Sequence, residues 1–366
     1  MQHGQVAADQ TGFPVLITAA CFATNCPEIL TTGNAHAAQS DGGDLRFSTD
    51  SAGASQIPCE VVVWSQNATF ASAKAEIHVP RNILTGSDVT IYVWWSAGGG
   101  LSQPAANAAF GAQSVWDSNY KLVSHLPDGT TLSVADSTGI NSPTNHSATA
   151  TAGMVDGCGN FVAASSQYID VGASNNLTNL TIEAWFYNQN NVTFQRILSN
   201  LTNPTYNGYE MYYGDSPGNS KITFGVASAG TYSVQRTVAG IGNGVWHHVV
   251  CTLSGTTQVI YVDGATPSQS RLAGSGVIAN SSLNLNIGRW PGSGSDFFDG
   301  QIDEVRVSDI ARSASWVTTQ YNNQNAPGSF VIAGARVDIS TGAGLFRAGT
   351  LSGLGTGGPF FSNPLS

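Results

Sequence analysis

The sequence is short of charge. Asp, Glu, Lys and Arg make up only 10% of its 366 residues, against roughly a quarter in ordinary soluble domains. Its 13 basic residues face 23 acidic ones, for a net charge of −10. Without clustered Lys and Arg a chain cannot neutralise a phosphate backbone, so nucleic acid is not expected as a partner. Long apolar runs are also missing, which argues against membrane insertion. Met1–Val6 has neither the basic stretch nor the apolar core of a secretory leader, so the expectation is either a sequence trimmed of its leader or a protein that leaves its cell without one, lysis, which belongs to phage, being one such route. Cysteine is scarce and odd in number: Cys21, Cys26, Cys59, Cys158 and Cys251, with no metal-ligand spacing. Cys21 and Cys26 are close enough to bridge in an oxidising compartment. Cys59 and Cys251 sit in strand-like runs and read as small buried apolar residues.

What is present is alternation. Leu180–Phe186, Trp246–Leu253, Gln258–Gly264, Leu283–Gly288 and Gly300–Val307 are short runs separated by Gly, Asn, Ser and Asp clusters. In the fourth, Leu283, Leu285 and Ile287 alternate with Asn284 and Asn286, the period of a strand with one buried face. Turn-rich breaks between such runs predict antiparallel sheets. Hydrophobic residues make up 41% of the chain, enough for cores, and the length suits two domains. The predicted fold is all-β: two tandem β-sandwiches and a short C-terminal extension. The first spans 1–95, with Pro14 marking an edge strand or strand start. A Gly, Ser, Ala and Pro linker spans 96–113, the second sandwich 114–326, and a Gly-rich extension 327–366 is a candidate assembly contact. Ser313 and the spacing of Trp316, Gln320 and Tyr321 predict a short helix, and Phe330–Ile339 an extra strand. His78 shares a strand face with Glu76 and is expected at the surface without a role.

Several landmarks carry a family resemblance. Phe13–Ile17, Asp41–Phe47, Ile57–Trp64, Ala75–Pro80 and Thr90–Trp95 occur in the order found in a domain of unknown function common in bacterial surface and phage proteins, with Trp94 and Trp95 where that family carries tyrosines. Further on, Ser165–Val171, Thr181–Phe186, Trp246–Val250, Tyr261–Gly264, Ile287–Trp290 and Gly300–Val307 resemble the laminin-G-like, concanavalin A-like jelly roll, over about Trp116 to Tyr321. The resemblance implies that the second sandwich is such a jelly roll.

Catalysis is not expected. Glycosidases of that superfamily carry Glu-x-Asp-x-x-Glu on one strand, which sets two carboxylates on one face, and no such pattern occurs here. Glu183 stands alone, Glu210 is isolated among tyrosines, and Asp303 and Glu304, as strand neighbours, are expected on opposite faces. His247 and His248 likewise should divide into one packed and one solvated ring. Asp303 is expected to share a face with Val305 and Val307, costly for a carboxylate unless it is paired or bound. By resemblance to a calcium-holding strand in glucanases, Asp303 is a candidate ligand for structural Ca2+, with Asp299 a weaker one; satisfaction by local backbone N–H groups is the equal alternative. Loop aromatics supply the binding candidates: Tyr209, Tyr212, Tyr213, Trp290 and Phe297, whose faces could stack on sugar rings. Against this, Tyr212 and Phe298 could instead alternate into the core. The leading expectation is a non-enzymatic bacteriophage virion protein, a capsid decoration or tail-fibre component, that contacts host glycans or other virion subunits as a homo-oligomer. The alternative is a secreted or surface-attached bacterial carbohydrate-binding adhesin; a polysaccharide-degrading enzyme would need acids distant in sequence to converge.

Overall fold

The computed structural model describes residues 1–96, 100–127, 129–173, 177–190, 192–216, 219–272, 274–341 and 344–351. The chain is all-β and divides into two compact units, Met1–Asp117 with Asn322–Ser366, and Ser118–Tyr321.

The first unit contains two sheets. Strands Gln10–Thr18, Lys74–Ile83 and Glu60–Ser65 form a three-stranded sheet in that order. As Pro14 predicts, Gln10–Thr18 is an edge strand, and Pro14 lies opposite Pro80, so neither missing N–H interrupts a ladder. The outer side of this edge is not left bare. The Asn323 amide accepts from the Leu16 N–H at 2.7 Å and donates to the Leu16 carbonyl at 3.0 Å, standing in for a neighbouring strand. The second sheet runs Arg336–Thr341, Gly344–Leu351, Ile91–Ser96, Arg46–Ser48 and Gln56–Ile57. The C-terminal segment therefore adds strands to the first unit. Phe330 itself ends a short helix, Pro327–Phe330, and the expected extra strand begins only at Arg336; Pro327 at the start of that helix explains the difference. Residues 352–366, part of the expected assembly contact, lie outside the described residues. The predicted linker is held down: Gln39 donates to the Leu101 carbonyl (3.1 Å), Arg46 to that of Ser102 (2.7 Å), and Gln103 donates to that of Gly42 (2.6 Å). His78 departs from expectation. It is fully buried beside Glu76, 3.2 Å from its Oε1, with the Trp116 ring 5.2 Å away.

The second unit is a sandwich of seven and eight strands. The seven-stranded sheet is centred on Trp246–Ser254, Leu180–Asn188 and Gly300–Ser308. The eight-stranded sheet runs Gln269–Leu272, Thr231–Thr237, Ile222–Ser228, Gly208–Tyr213, Gln195–Ser199, Asn284–Ile287, Tyr168–Ala173 and Thr144–His146. Alternate residues of facing strands build the core: Leu180, Ile182, Ala184 and Phe186 from one sheet, Ile222, Phe224, Val226, Leu285 and Ile287 from the other. Each large side chain so buried contributes roughly 1.5–3 kcal/mol. The helix Ala314–Asn325 follows, with the Ser313 hydroxyl accepting from the Trp316 N–H at 3.2 Å, the N-cap the sequence predicts.

All five cysteines are free and buried, so Cys21 and Cys26 are not bridged. Burial pushes the Cys21 thiol up to about 11 and those of Cys26 and Cys59 up to about 12. Because the thiolate is the reactive form, a disulfide-exchange reagent near pH 8 should titrate almost no thiol in the native protein and all five after denaturation. Replacing Asn323 with Ala strands a buried N–H and a buried carbonyl, each worth about 1–3 kcal/mol. The measurable result is a melting temperature lower by several degrees, and an unchanged value would show that the edge needs no partner.

Candidate functional site

The strand Gly208–Tyr213 decides which tyrosines are available. Tyr209, Met211 and Tyr213 point into the core and are fully buried, so Tyr209 and Tyr213 cannot meet a ligand at the surface, contrary to expectation. Strand alternation sends Glu210 and Tyr212 to the outer face. The alternative that placed Tyr212 in the core is thus reversed, whereas Phe298 does join it.

On that outer face Arg196 lies directly across from Tyr212, the neighbouring strand being shifted by one residue beyond this point. Its guanidinium carbon sits 4.3 Å from the Tyr212 ring centre and 5.1 Å from that of Trp290, within cation–π range. Nε donates to Glu210 Oε2 at 2.8 Å, and Nη1 meets Asp296 Oδ2 at 3.1 Å. Burial alone would lower the Arg196 guanidinium; Glu210 and Asp296 outweigh it and hold the group above its ordinary value. The remaining Glu210 oxygen accepts the Tyr232 hydroxyl. Burial pushes the Tyr232 phenol well up, and the Glu210 carboxylate adds to the effect, so Tyr232 remains a proton donor to Glu210 at any physiological pH. Gly225 makes this contact sterically feasible. It lies between Glu210 and the strand that bears Tyr232, and a Cβ there would come within 2.3–2.7 Å of the phenol.

Two loops complete the walls. The turn from Trp290 to Ser295 closes on itself by the Trp290 N–H to Ser295 carbonyl bond at 3.0 Å, and the Asp296 carbonyl accepts from the Arg196 N–H at 3.1 Å. The Trp290 indole N–H is fixed on the Leu201 carbonyl at 2.8 Å, which orients the ring. Tyr206 leans on Tyr232 with ring centres 5.6 Å apart, and Phe194, 40% exposed, forms the rim. Together these residues line a cleft of about 250 Å³. That is below the roughly 300–1,000 Å³ of pockets that enclose drug-sized ligands, and it suits a single ring presenting one flat face to aromatics and its edge to polar groups.

Of the five candidate binding residues the structure brings Tyr212 and Trp290 together in this cleft. Phe297 belongs elsewhere: its ring packs 6.4 Å from Tyr168, whose other neighbours are His146, stacked at 4.1 Å, and the Arg289 guanidinium at 3.6 Å. Sequence reasoning missed Arg196, Glu210, Tyr232 and Asp296. They come from three strands and a loop, and their spacing in sequence carries no period. The one signal was Glu210 itself, a carboxylate amid tyrosines on a strand.

Asp303 also departs from expectation. The strand Gly300–Ser308 holds an extra residue opposite Glu183–Trp185, and Glu304 there adopts φ +51°. This bulge lets Ile302, Val305 and Val307 all face the core, so Asp303 does not share the face of the valines, and Asp303 and Glu304 are not separated by simple alternation. Asp303 Oδ2 accepts from the Met154 and Val155 N–H groups at 3.0 and 2.9 Å. Asp299 accepts from the Asn190 amide and, at 3.2 Å, from the Ala163 N–H. Glu304 pairs with His125 at 2.5 Å and with Arg306, and Arg306 also approaches Glu183, which meets His248 at 3.1 Å. This second cluster is almost wholly buried. His247 pairs instead with Asp263 at 2.8 Å and is half-buried.

Residues 163–318 match the family model of the concanavalin A-like lectin/glucanases superfamily (Laminin_G_3). No curated protein matches the chain. Among solved structures the chain is similar to domain 4 of an extracellular GH43 arabinanase from Geobacillus stearothermophilus, solved with arabinotriose. The identity is 17% and the TM-score 0.42, over 55% of this chain and 98% of that one. It is similar also to the binding domain of Paraclostridial Mosquitocidal Protein 1, with 13% identity and TM-score 0.46, over 56% of this chain and about half (52%) of that one. A third is the CBM40 of Ruminococcus gnavus IT-sialidase bound to α2,3-sialyllactose, with 14% identity and TM-score 0.34, over 40% and 83%.

The Gly225–Tyr232–Glu210 arrangement is open to a double-mutant cycle. Tyr232→Phe should cost about 1.5–3 kcal/mol of stability, the worth of a hydrogen bond to a charged group. Gly225→Ala should cost about 1–3 kcal/mol through overpacking. In the Gly225→Ala background Tyr232→Phe should cost little more, because the hydroxyl has already left Glu210; additive losses within about 0.5 kcal/mol in denaturant unfolding would refute the arrangement.

Proposed function

With residues 163–318 a domain of the concanavalin A-like lectin/glucanases superfamily, we propose that the protein is a non-enzymatic, lectin-like glycan-binding protein and that the Arg196–Glu210 cleft is its sugar site. The observation that carries the reading is the aromatic lining, Tyr206, Tyr212, Tyr232 and Trp290, around fixed polar groups in a ring-sized cleft. Apolar faces for the C–H face of a sugar and buried hydrogen-bonding groups for its hydroxyls are what such a ligand needs. The two carboxylates that share the cleft do not form a hydrolytic pair. Glu210 and Asp296 both hold the Arg196 guanidinium, which stands where the reacting carbon of a glycoside would have to lie between acid and nucleophile.

The setting we propose is a bacteriophage virion, as a decoration or fibre component. It is supported by a polar surface with little charge, 10% charged residues in all, and by two β-sandwich units in one chain. Mass spectrometry of purified particles would find the chain there or remove this part of the reading.

Glycan binding is tested with Trp290→Ala and Tyr206→Ala, both at partly exposed positions. Each removes a stacking face worth about 0.5–1.5 kcal/mol beyond its area, so affinity for a bound oligosaccharide should fall about tenfold; both variants should stay folded, with the melting temperature lowered more by Trp290→Ala, which also loses the Leu201 and Arg196 contacts. Incubation with the same oligosaccharide should release no reducing ends. Retention of full affinity by both variants would place the sugar site elsewhere.

A further inference from the structure

We propose that the cleft selects its sugar by charge: it favours a ring bearing a free, protonated amine over a neutral ring, and rejects acidic sugars. The inference rests on the glycan-binding reading of the cleft and adds the chemical class of its ligand.

The argument is a count of charges and of free valences. Among the described residues that line the cleft, Arg196 is the one cation and Glu210 and Asp296 are the two anions, so the lining carries a formal excess of one negative charge. Arg196 is already largely neutralised, and among the described residues its Nη2 alone makes no hydrogen bond. Its Nε is given to Glu210, and its Nη1 to Asp296 and to the Phe194 carbonyl at 2.9 Å, while the Tyr212 and Trp290 rings lie against the guanidinium. Only 6% of its side chain is exposed. To reach Nη2 an acidic sugar would have to approach the two carboxylates that already neutralise this guanidinium, and their charge repels it.

The negative charge, in contrast, is reachable. The Asp296 side chain is 27% exposed, and its Oδ1 is met by the Ser295 hydroxyl at a long 3.3 Å. Aromatic rings beside that carboxylate add the attraction of π-faces for a cation. Glu210, 1% exposed and already given to Arg196 and Tyr232, supports the charge without being the contact. Asp296 holds a left-handed backbone conformation, φ +54°, which Asn adopts as readily as Asp. Asn also keeps an amide oxygen that can accept from Arg196 Nη1, so the charge can be removed with the turn and that contact retained.

The test uses the intact chain and three probes of one shape, the methyl β-glycosides of glucose, glucosamine and glucuronic acid, titrated by NMR at pH 6.5. The expected order of affinity is glucosaminide, glucoside, glucuronide, with about tenfold between first and last. In 1 M salt the spread should shrink, since screening acts within about 3 Å. Asp296→Asn should weaken the glucosaminide and strengthen the glucuronide until the two lie within about twofold, with the glucoside unchanged. Glucuronide binding as tight as glucoside binding in the unmutated protein, or a spread that survives Asp296→Asn, would overturn the charge selection alone. If none of the three shifts any resonance of the cleft while the protein is folded, the glycan reading falls, and this inference with it.

Discussion

A guanidinium shut away from water has to be matched, and the outer face of the eight-stranded sheet is arranged around that demand. Arg196 is satisfied by two carboxylates, a backbone carbonyl and aromatic faces. Truncating Glu210, the fully buried carboxylate, would leave a buried charge in deficit, at a cost of several kcal/mol. Because the partners come from separate strands and from the loop after Trp290, satisfying Arg196 fixes the positions of all of them together. The cleft is therefore pre-formed: its walls are held by the needs of one side chain, which in the proposed sugar site would spare a ligand the cost of ordering them.

The opposite sheet meets the same demand in a closed form. Arg306 is matched by Glu304 and Glu183, and these by His125 and His248. Burial alone would lower the Arg306 guanidinium, but the two glutamates raise it. The two clusters use the same chemistry and differ in access. Arg196 lies at the base of a cleft with a partly exposed aspartate at its lip, whereas the Arg306 cluster has every member nearly or wholly buried. Of the two, the Arg196 cleft is the one whose lining includes partly exposed aromatic and acidic side chains.

The architecture was legible because it is local. Period-two runs such as Leu180–Phe186 and the Gly- and Asn-rich breaks specify strands and turns within a few residues, and Pro14 and Ser313 specify an edge and a cap by their own chemistry. The candidate cleft was half legible. Tyr212 and Trp290 could be named as candidate aromatics, but Tyr209 and Tyr213 differ from Tyr212 only in the parity of their position, and parity can be assigned only once one residue of the strand is anchored to the core. Arg196 and Tyr232 meet Glu210 across strand pairings, and Asp296 meets Arg196 from a loop, none of which a single run encodes. The same holds for His78, whose neighbours Glu76 and Trp116 give it a buried place that the alternation of its own strand does not show.

The extra residue at Glu304 has an effect beyond its immediate surroundings. A strand crossing a sandwich keeps a phase, and a one-residue insertion shifts that phase for everything downstream. Val305 and Val307 reach the interior, and Asp303 finds the amides of Met154 and Val155, because the chain takes this single step out of rhythm. Held in strict alternation from Ile302 without the bulge, the same letters would turn Glu304 and Arg306 toward the oily interior and Val305 and Val307 away from it. One backbone kink thus works as the punctuation that lets apolar and acidic residues share a strand.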